Sequence, residues 1–200
     1  MKYDNQTTVF RTDALRGIIE DQGGMASNNR FRVHLPNLSG TLKADGSTAK
    51  DIGNRRELTD LCTSTRIPGK NLSVIERNIG MEQIKIANGY TLGDINMTFY
   101  LTNAYTAREY FQEWMDCIIS PTPPFTAGFH SNYSQSVTVT QLDRVGEVVY
   151  STELVKAYPT SIAEIDLNNQ AQTAAIELTV SLTYSNYLVK SQSRVDPNDL

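Results

Sequence analysis

Residues 174–185 alternate apolar and polar side chains with a period of two. The even positions carry the apolar set, which is Ala174, Ile176, Leu178, Val180, Leu182 and Tyr184. This period is typical of a β-strand with one face in the core and the other in water. Because an ordinary strand has about five or six residues, we expect this one to run the full height of a sheet and to form the spine of the fold.

Several other segments carry strand signals. Residues 30–35 and 94–101 alternate in the same way, and residues 58–66, 137–142 and 147–156 are rich in β-forming side chains. The four-residue turn Asp143-Arg144-Val145-Gly146 predicts that the last two segments are antiparallel. Pro159 predicts the end of an extended segment because proline cannot donate to a β-ladder, and an irregular piece should then reach the turn pair Asn168-Asn169.

One segment has a helical period. Across residues 106–119 four large apolar side chains recur at spacings of three and four, namely Phe111, Trp114, Met115 and Ile118. Thr106 and Glu109 have the spacing of a capping box. We therefore predict an amphipathic helix whose four apolar side chains pack on the sheet core. A shorter helix is expected over residues 12–21, before Gly23-Gly24.

Residues 71–90 predict a long hairpin that turns at Gly80. It has more apolar surface than a solvated hairpin needs, and its edges are free for pairing. We expect it to contact another subunit through eight side chains, which are Val74, Ile75, Arg77, Ile79, Glu82, Ile84, Lys85 and Ile86.

The chain is interpreted as one mainly β domain over residues 30–187, with an arm at 1–29 and a flexible tail at 188–200. Residues 39–57 have the polar, glycine-containing composition of a surface insertion with little to bury. Residues 120–133 form a proline-rich connection, and its aromatic side chains Phe125, Phe129 and Tyr133 are expected to dock on this protein or on a neighbour.

Charge and composition limit the classes of function. A net charge of −4 and a pI near 5.2 disfavour a permanent nucleic-acid binder, because such proteins need excess Lys and Arg. Residues 1–10 lack the apolar core of a secretion signal, and no run approaches the roughly 20 apolar residues that span a bilayer. The expected location is therefore the cytoplasm, where Cys62 and Cys117 act as small buried hydrophobes.

Motifs of known chemistry are not found in the sequence. His34 and His130 have no ligand partners at metal-binding spacing, and the glycines form neither a Walker loop nor a dinucleotide loop. We therefore predict no metal, no cofactor and no enzymatic activity. A Ser/His/Asp set that assembles in space stays open, because sequence order cannot exclude it.

Three segments resemble the tail tube proteins of contractile-tailed bacteriophages, a family related to pyocin tubes and type VI secretion tubes. They are residues 29–33 (NRFRV), 62–69 (CTSTRIPG) and 157–165 (AYPTSIAEI). The helix with Phe111 and Trp114 falls where that family has its packed helix, and the resemblance spans residues 29–187.

The resemblance implies a fold and a function. The fold would be two packed antiparallel sheets in a barrel-like sandwich, with one flanking helix and a protruding hairpin. Copies would form hexameric rings stacked into a tube that guides the tape-measure protein and then double-stranded DNA. Partners would be the sheath, the baseplate tube initiator and the tail terminator, in a virion tail assembled in the host cytoplasm.

The alternatives to a tail tube subunit are a tube-initiating baseplate paralogue, a sugar- or peptide-binding β-sandwich, and a hydrolase.

Overall fold

The computed structural model describes residues 12–21, 24–52, 55–168 and 175–191. These residues contain four helices, α1 (Thr12–Asp21), α2 (Arg55–Asp60), α3 (Thr106–Ile118) and α4 (His130–Tyr133). They also contain nine strands, β1 (Phe31–His34), β2 (Cys62–Ser64), β3 (Lys70–Ile79), β4 (Glu82–Leu92), β5 (Ile95–Tyr100), β6 (Gln135–Leu142), β7 (Val148–Ile162), β8 (Glu177–Thr183) and β9 (Asn186–Ser191).

Seven strands form one antiparallel sheet in the order β1-β6-β7-β8-β5-β2, with β9 also paired to β7. The first part of β7 pairs with β6 and β9, and its last part pairs with β8. Lys156 lies near the end of the first part, at the register shift between β6 and β7, with a φ of 55° in the left-handed region. The sheet bends there and folds over itself into a nearly closed barrel, which confirms the mainly β, barrel-like expectation. No described helix has the length and apolar character needed to cross a bilayer.

The spine of this barrel is β7, which has 15 residues, whereas β8 has seven. Residues 174–185 were predicted to form this spine, but β8 covers only Glu177–Thr183 of them, and Ala174 lies outside the described residues. Leu178, Val180 and Leu182 are buried as the alternation predicts. Pro159 also does not end a strand. It lies inside β7 opposite Leu182, and the register shifts between Pro159 and Ser161, a bulge of the kind that tolerates a missing donor. Asn169 lies outside the described residues.

Helix α3 packs on the barrel through the fully buried Phe111 and Trp114. Met115 and Ile118 are only half-buried, and the other core positions of the helix are Ala107, Tyr110 and Cys117. The capping box is not formed. Thr106 is already the first helical residue, and Tyr105 precedes it with a φ of 53° and no side-chain cap.

The segment over residues 39–57 is attached to helix α3, which its composition did not predict. The Glu113 carboxylate accepts hydrogen bonds from the Lys50 backbone N–H at 2.8 Å and from Lys43 Nζ at 2.7 Å. Ala49, within this segment, is buried. The Thr126 hydroxyl also donates to the Ala44 carbonyl oxygen at 2.6 Å. The segment therefore covers helix α3 as part of the domain.

Two further element boundaries differ from the sequence prediction. The start of the predicted strand 58–66 is helical, and Leu58 in α2 is fully buried. The predicted tail 188–200 begins inside β9, where Lys190 pairs with Glu153 at 2.7 Å. Residues 192–200 lie outside the described residues, as do residues 1–11 of the arm. Helix α1 occupies the predicted range 12–21.

Candidate assembly surface

Strands β3 and β4 form a two-stranded sheet of their own. Each strand is about 33 Å long at the usual rise of about 3.3 Å per residue. All the side chains described between residues 70 and 91 are exposed. The hairpin therefore stands clear of the barrel, and the outer edges of both strands have no ladder partner in the part of the chain that the structure describes.

Local sequence explains why the hairpin forms. A two-residue loop, Gly80-Met81, joins the strands, and Gly80 has a φ of 67°. Glycine adopts this conformation without strain, and two-residue hairpin turns require it. The register shifts between Ser73 and Val74, which pair with Gly89 and Ala87 and leave Asn88 as an extra residue. This bulge increases the twist of the base relative to the tip.

The two faces of the hairpin follow from this register. The proximal patch, defined as Leu72, Val74, Ala87 and Tyr90, lies on one face near the barrel. The distal patch, defined as Ile75, Ile84 and Ile86, lies on the opposite face toward the turn. The large side chains of the two patches are between 39% and 64% exposed. Isolated hydrophobic residues are common on surfaces, but two contiguous apolar patches are typical of an interaction site.

Charged side chains surround both patches. Beyond the proximal patch, on the same face, Glu76 pairs with Lys85 at 3.6 Å and accepts a hydrogen bond from Gln83 Nε2 at 2.6 Å. Lys70 Nζ lies 3.9 Å from the centre of the Tyr90 ring. On the distal face Arg77 is opposite Ile84. Exposed pairs of this kind add little stability to a fold.

The eight predicted hairpin residues divide between the faces. Val74 and Lys85 lie on the proximal face, and Ile75, Arg77, Ile84 and Ile86 lie on the distal face. Ile79 and Glu82 pair next to the turn, where the side chain of Ile79 is not described. Leu72 and Tyr90 were missed, although their apolar character in a segment predicted to be exposed was a sufficient signal.

Two further parts of the surface present an open seam between strands or exposed aromatic side chains. The end strands of the sheet, β1 and β2, do not pair with each other in the described residues, and a 160 Å³ cavity lies at this seam. The cavity is lined by Phe31, Ile67, Val139 and Tyr150.

Of the aromatic side chains in the proline-rich connection, Tyr133 packs against His130 and Tyr158, whereas Phe125 and Phe129 are more than 70% exposed.

The titratable groups of the interior have structural roles. Burial raises the pKa of the Cys62 thiol to about 12 and that of Cys117 to about 11, so both stay protonated at neutral pH. Burial would raise the pKa of Glu113, but the hydrogen bonds from Lys43 and the Lys50 N–H, together with the charges of these two lysines, lower the pKa more than burial raises it. Among the described residues, no three His, Cys, Asp or Glu side chains are grouped to hold a metal ion.

Solved structures with the same fold come from contractile injection systems. The tube-terminating cap of the anti-feeding prophage superposes with a TM-score of 0.57 at 15% identity, covering 84% of this chain and 91% of that chain. A sheath-tube complex of the PVC extracellular contractile injection system gives 0.55 at 14% identity, covering 84% and 92%. The six-fold symmetrised anti-feeding prophage baseplate gives 0.55 at 16% identity, covering 84% and 96%.

Sequence comparison is consistent with the fold. No curated protein sequence matches the chain. The profile of the phage tail tube protein family matches residues 26–190, from just before β1 into β9 and including the whole hairpin. With both the barrel and its projecting hairpin inside this match, the chain belongs to the phage tail tube protein family.

Proposed function

We propose that this chain is the repeating subunit of a tail tube, and that its copies form hexameric rings that stack into a hollow conduit. One observation carries the proposal, which is the exposed hairpin with an apolar patch on each face, in a chain of the tail tube family. A hairpin of this kind needs partners, and in a tube those partners are other copies of the same chain.

The free energy that burial of this apolar surface can supply favours several contacts per subunit. Burying a fully exposed large apolar side chain contributes about 1.5–3 kcal/mol, so the six half-exposed ones on the hairpin offer roughly 5–9 kcal/mol. Association costs about 4–15 kcal/mol because the partners lose translational and rotational freedom. One hairpin contact is therefore marginal, whereas a closed ring gives each subunit two neighbours at once.

The related assemblies support the ring and its surroundings. The anti-feeding prophage baseplate was solved with six-fold symmetry, and the PVC complex contains sheath together with tube. By analogy, the sheath lies outside the proposed tube, and the tape-measure protein and then DNA occupy its channel. The initiator and terminator proteins close its two ends, and the tail is assembled in the host cytoplasm. The role is structural and not enzymatic.

Electron microscopy of the purified chain tests the proposal. We expect hollow tubes or six-fold rings that become more abundant with protein concentration. A chain that stays monomeric by light scattering at millimolar concentration, with no rings on the grid, would contradict it.

A tube-initiating or tube-terminating paralogue is the second candidate. The solved cap and baseplate structures share this fold about as closely as the tube complex does, with TM-scores of 0.57, 0.55 and 0.55. The fold therefore does not separate these roles. Copy number in the virion does, because a tube subunit occupies many rings and an initiator or terminator occupies the end of the tube.

A further inference from the structure

The cavity at the seam between β1 and β2 reaches from the surface into the core of the barrel. Phe31 of β1 pairs with Gln141 of β6, which pairs with Tyr150 of β7, so these three side chains share one face of the sheet. Val139 lies two residues before Gln141 on the same face and is only 4% exposed. Ile67, in the segment that follows β2, is 50% exposed and lines the opposite side. The cavity is therefore open at Ile67 and ends at Val139.

The size and the wall of this cavity suit a single aromatic ring. Its volume is 160 Å³, and an apolar cavity of about 150 Å³ is large enough to bind benzene. Two aromatic side chains, Phe31 and Tyr150, and two aliphatic ones, Ile67 and Val139, supply most of the wall. Small-molecule sites have this composition, with a few polar groups that fix the orientation of the ligand.

One polar group in the wall is available to a ligand. Thr65 lines the cavity, and its Oγ1 is shielded from solvent without a hydrogen-bond partner among the residues that the structure describes. This is unusual, because an unpaired buried hydroxyl costs free energy. Two other polar side chains of the wall are already engaged. Gln141 Nε2 donates to the Ser27 carbonyl oxygen at 3.1 Å. Arg30 Nη1 donates to the Arg144 carbonyl oxygen at 2.6 Å.

We propose that the seam cavity binds a small neutral phenol, with its ring between Ile67 and Val139 and its hydroxyl group on Thr65 Oγ1. A threonine hydroxyl can donate to the phenol oxygen or accept from its O–H. A charged ring is disfavoured because it would have to leave water for an apolar wall. The site is formed within one copy of the chain, so this inference goes beyond the proposed tube function and does not depend on it.

Calorimetry with phenol and with toluene tests the binding. The two molecules have the same number of heavy atoms, and a methyl group in toluene replaces the hydroxyl group of phenol. We expect phenol to bind one saturable site with a Kd of about 1 mM or tighter, because its ring leaves water. Since a ligand that binds only the folded chain stabilises it, phenol should also raise the melting temperature.

Replacement of Thr65 tests the role of its hydroxyl group. Thr65→Val keeps the β-branched shape and removes the hydroxyl, so the ratio of phenol affinity to toluene affinity should fall by about tenfold. The matched control is Thr63→Val, the same substitution two residues earlier. The Thr63 hydroxyl donates to the Thr98 carbonyl oxygen at 3.2 Å, and Thr63 does not line the cavity. This control should leave the affinity ratio unchanged.

Cavity-filling variants test the location. Val139→Phe places a ring in the cavity from its buried end, and Ile67→Phe does so from its exposed end, which serves if the core substitution unfolds the chain. Circular dichroism verifies folding, and a folded variant should lose phenol binding. Three results would each overturn the proposal: no saturable phenol binding to the wild type, an unchanged affinity ratio in Thr65→Val, or wild-type phenol affinity in a folded cavity-filling variant.

Discussion

Trp114 Nε1 donates a hydrogen bond of 2.8 Å to the backbone carbonyl oxygen of Tyr133, which joins helix α3 to the residues that enter β6. The Trp114 ring is fully buried and stacks on Phe111 at 6.4 Å, which in turn lies 5.2 Å from Phe99 of β5. The Trp114 side chain thus joins helix α3 to the barrel wall and to the residues that enter β6. Its indole N–H has the hydrogen-bond acceptor that a buried indole usually finds.

Replacement of Trp114 tests this arrangement. Trp114→Ala should lower the free energy of unfolding by about 3–5 kcal/mol, because it removes buried area and leaves a cavity. Urea denaturation followed by circular dichroism measures the change. Gln112→Ala, at an exposed position of the same helix, is the matched control and should change stability by less than about 0.5 kcal/mol. An unchanged midpoint for Trp114→Ala would refute the packing of this helix on the sheet core.

Glu113 should give the protein a specific dependence on pH. Its folded-state pKa is below the usual value, so the stability it contributes is complete above the unfolded pKa of about 4.3. That contribution is lost as the pH falls through the lower folded pKa. Glu113→Gln should cost about 1.5–3 kcal/mol at pH 7, because it weakens hydrogen bonds to Lys43 and to the Lys50 N–H.

The measurement for Glu113 is urea denaturation of both proteins between pH 7 and pH 3. The difference in unfolding free energy should be constant at neutral pH and shrink below about pH 4. Glu109→Gln, a carboxylate on the same helix that is less buried, serves as control. A difference that stays constant down to pH 3 would show that the ion pair with Lys43 does not stabilise the fold.

Shortening the hairpin separates folding from assembly. Val74 and Ala87 are register partners, so residues 75–86 can be replaced by Asn-Gly, which favours a two-residue turn. The shortened chain should melt like the wild type, because the removed side chains that the structure describes are exposed, and it should build no stacked tubes. Its control replaces only the turn, as Gly80→Asn with Met81→Gly, and keeps both patches. If the shortened chain still forms tubes of normal length, the hairpin is not an assembly element.

The channel of the proposed tube should not retain DNA. A ring of six chains at −4 each carries about −24 before counterions, and fixed charge acts over a Debye length of about 8 Å at physiological salt. A neutral or acidic wall releases no counterions from DNA, so it lets a polyanion pass without binding it. We expect open-ended tubes to show no measurable affinity for short duplexes in a sedimentation assay. Micromolar retention that weakens steeply with added salt would indicate a basic channel instead.

Sequence patterns predicted the elements whose signal is local. Ile95, Met97 and Phe99 are buried at alternate positions of β5, as a period of two requires. Two of the wrong predictions involve pairs of residues that are distant in sequence. The bulge that lets Pro159 continue β7 depends on the register with β8, and the attachment of residues 39–57 depends on a Lys43–Glu113 pair that crosses 70 positions. Strand β9 was missed because Tyr187, Leu188 and Val189 form an apolar run without alternation.

The hairpin was predicted as an exposed element, but the separation of its patches was not. Which side chains share a face depends on the register shift between Ser73 and Val74, because one extra residue on β4 reverses the face of every residue beyond it. Sequence gives the apolar positions on each strand, whereas the pairing decides whether they form one stripe or two patches on opposite sides.

The pairing pattern also sets an order of events during synthesis. All contacts within the hairpin are local, and a hairpin forms in about 1–10 μs. The barrel, by contrast, needs Ile95 to meet Leu182 and Tyr150 to meet Ser191, so its closure waits for the end of β9. Each newly made chain therefore presents its apolar patches before its own barrel has closed. In the proposed tube, docking on the barrel of another copy would begin only after the last strand of that copy has joined β7.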